Sequence, residues 1–258
     1  MAPTDLDVLT NGEVAIRGRL LSASNATFLA TVSLDDRSFD CVYKPTAGER
    51  PLWDFPDGTL AWREAAAYAV SQALGWGVVP PTVLRGGPFG DGMVQAWREP
   101  DPDQDPVDIV AKGREPAGYL HVLDALDDAE RPISVVHEDS VPLRRMAVFD
   151  ALVNNADRKG GHILPMGDGH RFGVDHGVCF HVDDKLRTVL WGWAGEPLDG
   201  SDRAALNALL DDDLASVVGD LLNAHEVEAL RLRGEALLTA GSMPLPSSGW
   251  RAIPWPVF

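Results

Sequence analysis

A proline-rich, acidic segment, REPDPDQDP at residues 98–106, divides this chain into two halves with different hydrophobic patterning. Proline lacks the backbone N–H that helices and sheets use, so such a run favours a linker over a regular element. Residues 1–97 mostly alternate apolar and polar side chains, which is typical of strands, whereas residues 107–258 show mainly helical spacing. We expect two lobes joined by this linker, and a cleft between two lobes is a common ligand site.

The first half predicts an antiparallel sheet with one helix. Alternating apolar residues favour strands, and an alanine-rich segment that ends in glycine favours a helix with a defined end. The predicted strands are residues 12–21, 27–34, 39–45, 78–84 and 91–97, and the predicted helix is residues 60–75. We therefore expect a small β-rich lobe at residues 1–97.

The second half predicts a mainly helical large lobe, which makes the whole chain an α+β protein. The predicted helices are residues 119–128, 141–155 and most of 201–240, with a polar loop at 156–162 and a short hairpin at 163–177. One face of the last helix carries Val227, Leu230, Gly234 and Leu237. We expect Trp191 and Trp193 in the core, and the tryptophan- and proline-rich segment after residue 246 to pack as an extended strap.

The charge balance excludes some partners. The chain has 39 Asp and Glu against 22 Lys and Arg, a net charge of −17, and no dense basic cluster. Such a balance repels phosphate backbones and anionic lipids, so we expect neither nucleic-acid binding nor stable membrane association. Cys41 and Cys179 are too few for a disulfide framework, and no secretory signal is visible. We expect a cytoplasmic protein.

Two aspartates lie at positions where they could share one divalent cation. Asp157 sits in the polar loop after a long apolar helix, and Asp175 follows the hairpin between two glycines. Carboxylate ligands favour Mg²⁺ or Mn²⁺ over zinc. Phosphoryl transfer needs a metal, a cation on the phosphates and a group that orients the attacking hydroxyl. Asp157 is suited to orient the hydroxyl, Asp175 to hold the metal and Lys159 to contact the transferred phosphate.

The first half supplies a candidate phosphate-binding cation. Lys44 lies at the end of a predicted strand, and Glu64 lies on the next helix, 20 residues later. A strand lysine restrained by a helix carboxylate is the arrangement that kinases use to hold an ammonium against phosphate. The order of Lys44, Glu64, Asp157 and Asp175 therefore indicates an ATP-dependent kinase.

These segments resemble the phosphatidylinositol 3- and 4-kinase superfamily, most closely the type II phosphatidylinositol 4-kinases and their bacterial relatives. The chain is also similar to small actinobacterial kinase-like proteins. The matching segments are YKP (43–45), REAAAYAVSQALGWGVVPPTVL (63–84), NNADRKGGH (154–162) and VDHGVCF (174–180). The resemblance implies a two-lobed protein-kinase-like fold, ATP with Mg²⁺ or Mn²⁺ as cofactors, and an unidentified hydroxyl acceptor on a protein or small molecule. It also implies that the adenine is bound near Val94, Gln95, Ala96 and Trp97.

Three features depart from the family pattern. The loop asparagine that helps to bind the second metal is replaced by His162, which favours Mn²⁺ or a single metal. The turn at 22–27 has no glycine, although Ser24 and Asn25 offer polar groups to the phosphates. No basic segment follows Asp175, which together with the net charge disfavours an inositol lipid as the acceptor.

Three alternative functions remain open from the sequence. Four histidines, His162, His170, His176 and His181, fall within twenty residues and could serve a metal-dependent hydrolase, although none forms a helical i, i+4 pair. The departures at residue 162 and in the turn also permit a nucleotide-binding pseudokinase. Transfer of AMP on the same scaffold is the third alternative. Asp150 is expected to pair with Arg144 or Arg145 or to brace the loop, and Arg158 to anchor it.

Overall fold

The structure, a computed structural model, describes residues 3–20, 25–56, 58–247 and 251–258. Its first element is helix α1 (Asp5–Asn11), which the sequence pattern did not predict. The helix begins at a capping box in which Asp7 N donates to the Thr4 hydroxyl oxygen and Thr4 N donates to the Asp7 carboxylate. This reciprocal pair satisfies backbone donors that a short helix otherwise leaves without partners.

Five antiparallel strands form the sheet of the small lobe, in the spatial order β1–β2–β3–β5–β4. They are β1 (Glu13–Arg19), β2 (Phe28–Leu34), β3 (Arg37–Pro45), β4 (Thr82–Gly87) and β5 (Gly90–Ala96). All five were predicted, but β4 begins four residues later than expected. Pro80 and Pro81 precede it, and neither has the N–H that a ladder requires.

The two faces of this sheet have different surroundings. One face is buried under α1, and its core consists of Val8, Leu9, Ala30, Val32, Cys41, Tyr43, Val94 and Ala96. Both Cys41 and Cys179 are free thiols. Because side chains alternate along a strand, the residues between these, such as Val42, Lys44 and Gln95, belong to the opposite face. That opposite face lines the cavity described below.

Helix α2 (Leu60–Ala73) connects β3 to β4 and matches the predicted helix within two residues. The carboxylate of Glu49 accepts hydrogen bonds from the backbone N–H groups of Leu60 and Ala61, at 3.0 and 2.8 Å. A negative group at this end also complements the helix dipole. Gly75, at a φ of +67°, ends the helical path.

The second part contains a three-stranded antiparallel sheet that was not predicted. Its strands, in the spatial order β6–β8–β7, are β6 (Val107–Ala111), β7 (Tyr119–Leu126) and β8 (Pro132–Glu138). The helix predicted at residues 119–128 is therefore wrong. A register shift between His121 and Leu123 inserts a residue into β7. Such a bulge moves the apolar alternation by one position, and the result imitates helical spacing.

The remaining elements follow the expected order. Helix α3 (Val141–Val153), the hairpin of β9 (Ile163–Pro165) and β10 (Arg171–Gly173), and helices α4 (Gly200–Asp211), α5 (Leu214–Val218) and α6 (Ala224–Ala240) complete the large lobe. Leu230, Gly234 and Leu237 are buried on α6, as the helical pattern predicts. The α+β class and the two-lobed arrangement are thus confirmed, with a second sheet added to the large lobe. Residues 97–106 contain no strand or helix.

The segment 251–258 packs along the large lobe without regular structure. The carbonyl oxygen of Ala252 accepts from Thr188 N at 3.0 Å and from the Trp191 indole at 2.8 Å. Farther on, the Val257 carbonyl accepts from Gly160 N at 2.8 Å. Trp191 and Trp193 themselves are buried, as expected.

No helix among the described residues is both long enough and apolar enough to cross a bilayer.

Candidate active site between the two lobes

A cavity of about 660 Å³ lies between the small-lobe sheet and the loops that follow α3 and β10. Residues of the small lobe and of the segment that follows β5 line one side: Leu20, Asn25, Thr27, Val42, Lys44, Gln95, Ala96, Trp97, Arg98 and Pro100. Large-lobe residues line the other: Asp157, Lys159, Gly161, His162, Leu164, Val174, Asp175 and Phe258. Most of the residues predicted from the sequence thus share one cavity.

Lys44 connects the two lobes through two carboxylates. Its ammonium Nζ donates to Glu64 Oε1 at 2.7 Å and to Asp175 Oδ1 at 2.9 Å. Glu64 is 2% exposed, and its second oxygen accepts from the backbone N–H of His176 at 2.9 Å. The helix carboxylate therefore holds the strand lysine on one side and the segment after β10 on the other.

The charges of this group favour the ionised forms. Burial alone would lower the pKa of Lys44, but Asp175 and Glu64 together raise it well above its usual value. The nearby Lys44 ammonium in turn holds the pKa of Asp175 well below its usual value, against the opposing effect of burial. Asp175 is therefore a carboxylate and Lys44 an ammonium at neutral pH.

Asp157 is positioned by the end of α3. Asn154 takes a left-handed conformation, with φ at +56°, which ends the helix and turns the chain towards the cavity. The Asn155 side chain then accepts from Asp157 N at 3.0 Å. The carboxylate of Asp157 lies 3.4 Å from Lys159 Nζ, and its side chain is about one-third exposed. An acid with this exposure can reach a ligand in the cavity.

Arg158 holds the loop after α3 to the segment after β10. Its fully buried guanidinium pairs with Asp150 on α3 through hydrogen bonds of 2.8 and 2.9 Å. It also donates to the carbonyl oxygens of His162 and Val174, each at 3.2 Å. The expectation that Arg158 anchors the loop agrees with these contacts, and Asp150 braces the loop through this guanidinium.

Next to Arg158, the histidine in the middle of the DHG triplet is held in its neutral form. The Nε2 of His176 lies 2.7 Å from the Arg158 guanidinium, which can only donate, so this nitrogen carries no proton. Burial and the Arg158 charge lower the pKa of His176 well below its usual value. Its Nδ1 has no partner within the described residues.

His162 lies beside Asp175 at the base of the cavity. Its Nδ1 donates to the carbonyl oxygen of Asp157 at 2.9 Å, and its Nε2 lies 3.6 Å from Asp175 Oδ2. Burial lowers the pKa of His162, although the Asp175 charge opposes this. In the neutral form, Nε2 keeps a lone pair that can bind a cation.

The donor set fits a cation that is shared with phosphate. Among the residues that the structure describes, no group of three or more His, Cys, Asp or Glu side chains is arranged to hold a metal ion by itself. Asp175 and His162 supply two adjacent donors. Mg²⁺ is commonly bound through one or two carboxylates with the remaining ligands from phosphate and water. The residues present fit that mode, and they do not fit a closed metal site.

Only some of the other predicted binding residues line the cavity. Gln95, Ala96 and Trp97 line the cavity, whereas Val94 is packed in the core under α1. Asn25 also lines it, and its side-chain oxygen accepts from Arg50 N at 2.9 Å. Ser24 lies outside the described residues.

Sequence reasoning missed the apolar lining and one aromatic side chain. Leu20, Val42, Leu164 and Val174 are apolar residues of the cavity wall. Val42 lies two residues before Lys44, so the two-residue period of a strand places both on one face. That period could have indicated Val42 as a cavity residue. Phe258, whose ring packs against Gly160, carries no comparable signal in the sequence.

The structure does not bring the four histidines together. His170 bonds to the Gly77 carbonyl oxygen at 2.9 Å, and His181 packs edge-on against Phe55. His176 is fully buried against Arg158. A hydrolase site built from His162 and these three residues is therefore not formed.

Comparisons with known proteins relate this chain to a protein of similar sequence. No family model matches the chain. The solved structure of a Helicobacter pylori proinflammatory kinase, CtkA, is similar to this chain with a TM-score of 0.46 and 12% sequence identity. The similarity covers 91% of this chain and 94% of the other chain, and it says nothing of this chain's activity. Protein Rv2133c of Mycobacterium tuberculosis is 52% identical over 97% of this chain and 94% of the relative. The chain therefore belongs to the same family as protein Rv2133c.

Proposed function

We propose that this protein is an ATP-dependent kinase that transfers a phosphoryl group to a hydroxyl of a protein or small-molecule acceptor. One observation carries the proposal. The Lys44 ammonium lies between Glu64 and Asp175, at 2.7 and 2.9 Å, in a cavity that Asp157 and Lys159 also line. Phosphoryl transfer depends mostly on positioning and on electrostatic stabilisation, and this group of charges supplies both.

Each charged residue has a distinct role in this proposal. Lys44 binds phosphate oxygens while Glu64 keeps its ammonium directed into the cavity. Asp157 orients the acceptor hydroxyl and accepts its proton, and Lys159 stabilises charge on the transferred phosphoryl group. Asp175 would hold Mg²⁺ or Mn²⁺, with His162 as the second protein ligand. The cation would neutralise the charge that develops on the phosphate oxygens.

The rest of the cavity suits the base and the sugar. Apolar side chains from both lobes can enclose a flat ring, while Gln95, Ala96 and Trp97 offer polar and backbone groups at its edge. Asn25, and Ser24 as the sequence predicts, are assigned to the phosphates. A cavity of about 660 Å³ lies within the range of small-molecule and cofactor sites.

The acceptor class follows from charge. The net charge of −17 disfavours an anionic lipid surface, so the proposed relationship to the phosphatidylinositol 3- and 4-kinases concerns the catalytic residues and not the lipid substrate. We assign the reaction to the cytoplasm, where ATP is available.

Labelled ATP tests the proposal. The wild-type protein is incubated with γ-labelled or α-labelled ATP, with Mg²⁺ or Mn²⁺, and with a metabolite and protein extract of the source organism as acceptor. We expect γ-label transfer that Asp157→Asn reduces by at least about a hundredfold, as loss of a catalytic acid–base group does. Asp168→Asn, an exposed aspartate in the turn between β9 and β10, is the matched control and should retain activity.

The other outcomes identify the alternatives. Transfer of the α-label instead would show an AMP transferase. ATP binding without turnover for any acceptor would show a nucleotide-binding pseudokinase. Label transfer that Asp157→Asn leaves unchanged would refute the catalytic assignment, and the absence of ATP binding with either metal would refute every nucleotide-based function.

A binding assay tests the metal ligand separately. ATP with Mg²⁺ or Mn²⁺ should raise the Tm of the wild-type protein, because a ligand that binds only the folded state stabilises it. Asp175→Asn should abolish the metal-dependent part of this increase. If the increase is the same with EDTA as with either metal, Asp175 is not a metal ligand.

A further inference from the structure

We propose that Gln95 recognises the exocyclic amino group of adenine, so that this site accepts ATP and rejects 6-oxopurine nucleotides such as ITP and GTP. The inference rests on the proposed function, since it requires a purine nucleotide in the cavity. It adds a specificity that neither the composition nor the motifs of the chain indicate, and it follows from one chain of hydrogen bonds.

The first step is the direction of the Gln95 side chain. In the ladder between β3 and β5, Gln95 stands opposite Val42, and in the ladder between β4 and β5 it stands opposite Thr82. Directly paired residues project from the same face of a sheet. Val42 lines the cavity, as does Lys44 two residues farther along the strand. Gln95 therefore projects towards the cavity, and it is only 5% exposed.

The second step is the orientation of the amide. The hydroxyl of Thr82 donates to the carbonyl oxygen of Pro80 at 2.8 Å, and that carbonyl can only accept. The Thr82 oxygen is thereby left as an acceptor, and Gln95 Nε2 donates to it at 2.8 Å. A reversed amide would place two acceptors against each other or break the bond to Pro80. The backbone at Pro80 thus determines which end of the Gln95 amide faces Thr82.

The third step is the group that remains. With Nε2 held by Thr82, the Oε1 of Gln95 accepts no hydrogen bond from residues 3–20, 25–56, 58–247 or 251–258, and it is not one of the fully buried atoms there that lack a partner, so it is open to the cavity. Once a ligand fills the cavity and excludes water, this carbonyl oxygen is costly to leave without a donor. The cavity is the open space beside it, so the structure presents a ligand with an oriented acceptor.

The fourth step matches that acceptor to a ligand. Adenine carries an amino group at position 6, which donates, whereas guanine and hypoxanthine carry an oxygen there, which accepts. The apolar residues Leu20 and Val42 on one side, and Leu164 on the other, suit a flat ring. An amino group at the edge of that ring would satisfy Gln95, and an oxygen would oppose it.

Wild-type protein and three nucleotides provide the first test. The dissociation constants of ATP, ITP and the triphosphate of unsubstituted purine riboside are measured by calorimetry with Mg²⁺ or Mn²⁺. ITP differs from ATP only in having an oxygen in place of the amino group and a proton on the ring. We expect ITP to bind about ten- to hundredfold more weakly than ATP, because an acceptor then faces an acceptor that the bound nucleotide has cut off from water. The unsubstituted purine should lie between them.

Two variants of the hydrogen-bond chain provide the second test. Gln95→Leu removes the acceptor, and Thr82→Val frees the amide to turn over, so both should bring the ATP-to-ITP affinity ratio close to one. Thr82→Ser keeps the hydroxyl and is the matched control, which should preserve the wild-type ratio. Circular dichroism establishes that each variant is folded, and the wild-type nucleotide series does not depend on any of them.

The role of Gln95 and the proposed kinase function can be refuted separately. If the wild-type protein binds ATP and ITP equally, or if Gln95→Leu keeps the wild-type ratio, the role of Gln95 is refuted while the proposed kinase function stands. If no purine nucleotide binds with either metal, the proposed function is refuted, and the role of Gln95 is refuted with it.

Discussion

Replacement of Asp150 by asparagine should destabilise the protein strongly, because it leaves a buried guanidinium without its counter-charge. Asp150 and Arg158 are both fully buried and are joined by hydrogen bonds of 2.8 and 2.9 Å. The remaining carbonyl partners of Arg158 lie at 3.2 Å and carry no formal charge. Removal of one member of such a pair costs about 3–5 kcal/mol, and we expect Asp150→Asn to lower the free energy of unfolding by this amount.

Urea and thermal unfolding measure this effect. For a chain of this length, each kcal/mol corresponds to about 2–4 °C, so the Tm should fall by about 10 °C. Asp40→Asn is the control, because it removes a partly exposed ion pair with Arg17 and should cost less than about 1 kcal/mol. The double variant Asp150→Leu with Arg158→Met should regain part of the loss, since neither charge then remains buried. If Asp150→Asn costs no more than the control, the buried-charge argument is wrong.

Three further predictions concern other contacts. Glu64→Gln removes the charge that restrains Lys44. The kcat/KM of phosphoryl transfer should then fall about ten- to hundredfold, which is the range for loss of a charge-assisted hydrogen bond. An unchanged kcat/KM would contradict the assigned role of the pair. Burial lowers the pKa of His137, whose two ring nitrogens both have backbone partners, so the unfolded state binds the extra proton. This one histidine should therefore lower the free energy of unfolding by up to about 2 kcal/mol between pH 7 and 5, and His137→Gln should make the slope shallower by that contribution, while His162 and His176 keep theirs. Gly160→Ala would place a Cβ 2.4 Å from the Phe258 ring, at the cavity wall, and should displace that ring; an unchanged nucleotide affinity and Tm would contradict this.

The sequence could predict those features of the fold that depend on local hydrophobic patterning. Strand alternation and an alanine-rich helix were enough to place Lys44 on β3 and Glu64 on α2, and the distance of 2.7 Å between them agrees with the pairing expected from that order. The contact between Lys44 and Asp175 spans 131 residues and depends on how the two lobes pack. The catalytic and metal-binding roles of these residues remain predictions.

The second sheet was missed for a physical reason. The bulge in β7 displaces the apolar residues after His121 by one position, so the segment contains neither a clean period of two nor a true helical stripe. Tertiary pairing with β8, and not local propensity, determines its conformation. A method that relies on periodicity alone assigns such a strand to the wrong class.

The hydrogen-bond chain at Gln95 could not be predicted for a different reason. It requires the register between β4 and β5, which sets Thr82 opposite Gln95, and the position of the Pro80 carbonyl. Register depends on turn geometry and on the packing of a whole face, and neither is visible in a short motif. The contact of Phe258 with Gly160 likewise depends on a distant segment.

The guanidinium of Arg158 has a consequence for how the acceptor of the proposed kinase can change among relatives. It binds the carbonyl oxygen of His162, a candidate metal ligand, and that of Val174, which precedes the other candidate, Asp175, from inside the protein. The separation of these two segments is therefore set in the interior and not at the rim. Substitutions at an exposed position of the cavity wall such as Gly161 should alter which acceptors the proposed kinase admits while that spacing stays constant. Redesign of the proposed acceptor range should begin at such outer positions and leave the internal clamp untouched.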